Sequence, residues 1–224
     1  ALTIGHTTSE TTVADNLTAT GDFAANNFKI SGTNFTNSLL IGHSTTGTLS
    51  SANDNTIIGY AAGDAITSGT SDTFIGKGAG SAVTSGGYTV AIGAGALITS
   101  TTASTNTAVG YDSLKLATGG GNTAVGKDAG TKVAAGSYNI CLGQDAGQNI
   151  TSGGGNIVIG RKDALSATNS VTLLIGNNDG ATDTTWIKGD ASGNLIFPAD
   201  VAAATLDISG AIDIDGTSNL DTVD

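Results

Sequence analysis

An aliphatic residue followed by glycine recurs along the chain at Gly42, Gly59, Gly76, Gly93, Gly110, Gly126, Gly143, Gly160 and Gly176, in steps of 17, 17, 17, 17, 16, 17, 17 and 16 residues. A period that constant is the signature of stacked repeats, in which each unit buries its apolar face only against its neighbours. Typical units read TIIGYAAGDAITSGTSD from Thr56 and TFIGKGAGSAVTSGGYT from Thr73. Seventeen residues are too few for a strand, a crossover helix and two turns. They suit one coil of a β-solenoid, with a contour of about 56 Å at about 3.3 Å per residue. Eight steps of about 4.8 Å would stack to about 38 Å.

The anatomy of the unit supports this reading. Four residues before each glycine stands Asn55, Asp72, Asn106, Asn122, Asn139 or Asn156, replaced by threonine at Thr89 and Thr172. A three-residue run of apolar residues and threonine follows, as in a short strand. The glycine ends that strand where a side chain would obstruct a turn or a close backbone approach. A small residue returns three positions later (Ala62, Ala79, Ala96, Ser113, Ala129, Ala146), and regular units add an apolar position at Ile66, Val83, Val133 or Ile150. Side chains repeated at the strand spacing would form ladders up the stack.

Two adjacent columns of each strand are apolar. The residue before the glycine is Ile41, Ile58, Ile75, Ile92, Val109, Val125, Leu142, Ile159 or Ile175, and the one before that runs from Leu40 through Ile57, Phe74 and Cys141 to Leu174. Successive strand residues point to opposite faces, so one column fills the coil and the other forms an exposed apolar stripe. Such stripes mark interfaces, and copies of the chain packed around a common axis would bury it symmetrically. Either column can be the interior; Ile58, Ile75, Ile92, Val109, Val125, Leu142, Ile159 and Ile175 are assigned to the seam or core.

Four segments follow. Residues 1–37 and 201–224 alternate apolar and polar residues in short strands and are expected to intertwine with other copies, being too short to fold alone. Residues 38–176 form the solenoid shaft. Residues 177–200 read as a capping β-hairpin, with its turn between Gly189 and Gly193 and Trp186 plugging the end. The pattern is still running at Asp224, so the chain is expected to be a piece of something longer.

Composition narrows the function. A net charge of −11 disfavours nucleic acid and anionic membrane surfaces, which require clustered Lys and Arg. No run of about 18 apolar residues is present to span a bilayer. The single cysteine rules out a disulfide framework or a thiolate zinc cluster.

The NTAVG-type units, flanked by DNLTATGDF and LDISGAIDIDG, resemble the shafts of bacteriophage tail fibres, particularly those of marine and cyanobacterial phages. That resemblance implies an all-β, elongated homotrimer in the virion, a structural component that carries or positions host-receptor-binding elements. Its implied partners are itself, other tail proteins and, through regions outside this chain, a host cell-surface glycan or protein. The head repeats of trimeric autotransporter adhesins are also similar, although their repeat is nearer 14 residues, and a bacterial surface adhesin is the alternative.

Candidate sites are few, and no cofactor is expected. His6 and His43 each sit in Ile-Gly-His and could offer three imidazoles to a metal at a threefold axis; exposed turn histidines are the simpler account. Asp112, Asp128 and Asp145 share one repeat position, as stacked calcium ligands or, more simply, a solvated acidic rim. Cys141 takes a core slot, and Tyr60 and Tyr111 are surface residues. Polysaccharide cleavage would need paired carboxylates in an aromatic groove, and no nucleophile elbow, P-loop or dinucleotide motif is present, so no enzyme is expected. Ice binding would need unbroken threonine ranks; Val90, Ile140 and Ile157 interrupt the rank of Thr56, Thr73, Thr107 and Thr123.

Overall fold

A computed structural model describes residues 28–32, 35–41, 50–102 and 104–198. Among them there is no helix; twelve strands form one sheet in sequence order. β1 (Phe28–Gly32) pairs antiparallel with β2 (Phe35–Ile41) of the same chain. From β2 onward the sheet is parallel and adds one strand per coil: β3 (Thr56–Ile58), β4 (Thr73–Ile75), β5 (Val90–Ile92), β6 (Thr107–Val109), β7 (Thr123–Val125), β8 (Ile140–Leu142), β9 (Ile157–Ile159) and β10 (Leu173–Asn178). The register never slips between β2 and β10, so each residue faces its counterpart one repeat away. The chain is a β-solenoid of about eight turns.

Each coil has one strand, and turns supply the rest of its circumference. These turns are hydrogen-bonded from coil to coil as well, for example from Gly63 N to Ala79 O (2.9 Å), Ala65 N to Ser81 O (2.9 Å) and Thr84 N to Thr101 O (2.8 Å). Threonines reinforce that wall. The Oγ1 of Thr67, Thr84, Thr118 and Thr151 donates to a carbonyl of the next coil.

The repeat glycines are explained by backbone proximity. At Gly126, with φ +137°, a Cβ would lie 2.4 Å from the carbonyl oxygen of Gly143, and at Gly110 the corresponding distance is 2.3 Å. The backbones meet here at strand spacing with no room between them.

From β3 to β9 the middle residue of each strand points inward and is buried, including Ile57, Phe74, Ala91, Ala108, Ala124 and Cys141. Burial pushes the Cys141 thiol up to about 12, so it behaves as a small hydrophobe. In the coils of β3 to β6 the interior also trades volume between positions. Where the strand offers Ile57 or Phe74, the position four after the glycine is Gly63 or Gly80, and a Cβ there would press on those side chains at 3.0 and 2.7 Å. Where the strand offers only Ala91 or Ala108, the same position holds Leu97 or Leu114, both buried and both at positive φ (55° and 48°). The third wall position shrinks to match, from Ile66 and Val83 to Ser100 and Ala117. Filling the core thus outweighs the cost of a left-handed leucine, about 1–2 kcal/mol.

The C-terminal end departs from expectation. β10 turns back into β11 (Asp183–Gly189), and β11 pairs antiparallel with β12 (Leu195–Ile196). The anticipated Gly189–Gly193 hairpin is present, but another precedes it and begins at Leu173, inside the last repeat. Asp179 and Asp190 anchor the two turns by accepting backbone N–H groups, from Ala181 and Thr182 and from Ser192 and Asn194. Trp186 does not plug this end: it is 56% exposed, because it points away from the coil interior on a strand that covers only an edge. Residues 1–27 and 201–224, with His6 and the C-terminal strand pattern, lie outside the described residues, as do Gly42 and His43.

Two outcomes test this packing. Gly126→Val should abolish folding or cost more than about 4 kcal/mol, whereas Lys127→Val should stay within about 0.5 kcal/mol in thermal melts followed by circular dichroism. Ala91→Ile alone should cost about 1–3 kcal/mol by overpacking against Leu97, and adding Leu97→Gly should recover most of that loss.

Candidate interaction surface

Burial settles which apolar column faces outward. The first and third residues of each strand point away from the interior and are partly exposed: Thr56 and Ile58, Thr73 and Ile75, Val90 and Ile92, Thr107 and Val109, and Thr123 and Val125. Ile140 with Leu142, Ile157 with Ile159 and Leu173 with Ile175 complete the series. The third column is aliphatic at every rung from Ile41 to Ile175, and at Val125 exposure reaches 41%. Among the described strands, each of these packs only against its sheet neighbours. The result is an outward face nine strands tall, about 38 Å at the usual strand spacing, with an aliphatic third column and threonine at four rungs of the first.

A buried side-chain ladder holds this face in register. The backbone N–H of Asn55 donates to Ser38 Oγ (2.7 Å), that of Asp72 to Asn55 Oδ1 (2.8 Å) and that of Thr89 to Asp72 Oδ1 (2.9 Å). The pattern resumes from Asn122 to Asn106, Asn139 to Asn122, Asn156 to Asn139 and Thr172 to Asn156, at 2.8–3.0 Å. Each carboxamide also donates from Nδ2 to a main-chain carbonyl 13 or 14 residues on: Asn55 to Gly69, Asn106 to Gly119, Asn122 to Gly136, Asn139 to Gly153 and Asn156 to Asn169, at 2.9–3.0 Å. Asparagine suits the position because it accepts and donates at once while buried. Ser38 begins the ladder, a role its place four residues before Gly42 could have revealed.

All four tyrosines of the chain border this face. Tyr60 and Tyr111 follow repeat glycines, and Tyr88 and Tyr138 precede the ladder; they are 71, 55, 70 and 76% exposed. Tyr88 and Tyr138 belong to a column of left-handed residues, with Asp54, Ser71 and Thr105, which the sequence reading missed. Lys127 lies 5.9 Å from the centre of the Tyr111 ring.

The remaining candidates take structural roles. Asp112, Asp128 and Asp145 occupy positive-φ turn positions and pair with Lys115, Lys127 and Arg161. The hydrogen bond from Lys115 to Asp112 raises the lysine's pKa. An open groove of about 460 Å³ lies between the last coil and β11, but its Arg161 and Lys162 are paired with Asp145 and Asp183. Among the described residues, no group of three or more His, Cys, Asp or Glu is placed to hold a metal ion, and no helix is long and apolar enough to cross a membrane.

No protein-family model matches the chain, and no curated protein or solved structure is significantly similar to it.

Asn139→Ala should cost about 2–4 kcal/mol, since it strands the buried N–H of Asn156 and the carbonyl of Gly153. Asn139→Gln, with the same groups on a longer stem, should not restore that loss in the same melt.

Proposed function

We propose that this chain is a stretch of fibre shaft, in which three copies pack their outward sheet faces around a common axis. The observation that carries the reading is the unbroken aliphatic column from Ile41 to Ile175, outward-facing, partly exposed and with no other described strand packed on it. A soluble chain that leaves so long and regular a strip to water would self-associate, and identical strips are met most economically by symmetry. The number three comes from the resemblance of the repeats to bacteriophage tail-fibre shafts. On this reading the protein belongs to a virion and holds host-binding elements away from the particle.

The mechanism is mechanical. Three hydrogen-bonded systems run along each copy: the strand ladder, the asparagine ladder (interrupted between Thr89 and Asn106) and the threonine-reinforced turns. Bending or stretching the rod would break bonds in all three at once. Packing the aliphatic faces together would lock the copies against sliding, because each rung presents a ridge at the strand spacing.

Ile92→Asp should convert the sedimenting species from oligomer to monomer or aggregate, since an unpaired charge would sit in a dry seam. Lys77→Asp, on the neighbouring turn, should leave the sedimenting mass unchanged. An Ile92→Asp protein that still sediments as the wild-type oligomer would refute the seam. The chain alone should show no tight binding on a glycan array.

A further inference from the structure

One rung of the ladder carries the wrong chemistry for its place. At Asn139 the carboxamide nitrogen sits 2.9 Å from the point where a Cβ on Gly136 would stand, next to the Gly153 carbonyl that accepts from it. At Asn156 the same arrangement joins Gly153, the carboxamide and the Asn169 carbonyl. The corresponding point on Gly69 lies 2.7 Å from Asp72 Oδ2 and 2.7 Å from the Gly86 carbonyl oxygen. Asp72 Oδ2 therefore occupies the place of an amide donor and faces an acceptor. It is buried and has no hydrogen-bond partner, while Oδ1 accepts from Thr89 N–H as an asparagine Oδ1 would.

We propose that Asp72 is held in the folded coil as the neutral carboxylic acid, its Oδ2 hydroxyl donating to the Gly86 carbonyl, and that this rung is a proton-dependent latch between neighbouring coils. Protonation makes the side chain a donor–acceptor pair like a carboxamide. Loss of that proton leaves a buried carboxylate against a carbonyl oxygen, two acceptors with nothing between them. The groups facing Asp72 are the Asn55 carboxamide from the preceding coil, the Thr89 amide from the following one, the Gly69 backbone and the Gly86 carbonyl. None of these titrates, and no charged side chain adds to the shift. Burial pushes the carboxyl up to about 7, with the Thr89 hydrogen bond opposing it.

The sign follows. With a folded pKa above the unfolded one, the folded coil binds more protons, so its stability falls as pH rises from about 4 to about 7 and is level beyond. The inference is independent of how many copies assemble.

The test is hydrogen exchange at the Thr89 amide in the full chain, comparing wild type with Asp72→Asn at each pH so that intrinsic exchange cancels. The ratio of wild-type to variant opening should grow by up to about a hundredfold between pH 5 and pH 8.5, with the variant as the more protected at alkaline pH. A ratio that does not change with pH, or a variant that opens more easily throughout, would overturn the latch. Infrared difference spectra of wild type in acid provide a check that does not depend on the variant folding. They should contain the carbonyl stretch of one buried protonated carboxyl that disappears as pH rises past neutrality, and its absence would equally refute the proposal.

Discussion

Coil-to-coil contact at strand spacing is the constraint from which the rest of this molecule follows. Once backbones approach so closely that a Cβ on Gly126 would lie 2.4 Å from the next carbonyl, a side chain cannot be inserted at that position in any coil. The same spacing sets each ladder carboxamide within hydrogen-bonding reach of the coils beside it. A buried carboxamide has two acceptor and two donor sites to satisfy, and stacking offers partners for them at a fixed offset. Period, glycine column and asparagine column are three expressions of one distance.

Within that frame the interior trades volume between positions from β3 to β6, whereas Ala124 shares its coil with Gly130, whose Cβ position is met by Leu114 of the coil before. Leu97 and Leu114 take strained left-handed conformations because the neighbouring strands supply only Ala91 and Ala108. The regular Gly63 and Gly80 return where Ile57 and Phe74 occupy that space. The coils are interchangeable in backbone and individual in filling, much as close packing requires. Outside, the aliphatic third column does not vary in this way. On the proposed reading, that constancy serves a repeated contact with other copies of the chain.

Much of this was legible in the sequence because the repeat imposes its own alignment. The strands ended at their glycines, the ladder ran through Asn55, Asn122 and Asn139, and Cys141 filled a core slot. Which apolar column faced inward was not legible: Ile57 and Ile58 are alike in chemistry, and only the direction of the chain's turn after the glycine separates them. Trp186 was misjudged because size suggested burial, whereas β11 covers only an edge of the last coil. The protonation demand at Asp72 was hidden for another reason. Aspartate and asparagine look equivalent as turn and cap residues, and they differ only once the second side-chain oxygen is found facing a carbonyl.

The outward face carries the functional account, and the mass of the wild-type particle in dilute solution tests it most directly. Sedimentation equilibrium should return about three times the 21.8 kDa chain mass, unchanged on dilution through the micromolar range. A monodisperse 21.8 kDa species with an intact β-sheet circular dichroism spectrum would contradict it, because the aliphatic column would then be stable in water without a partner.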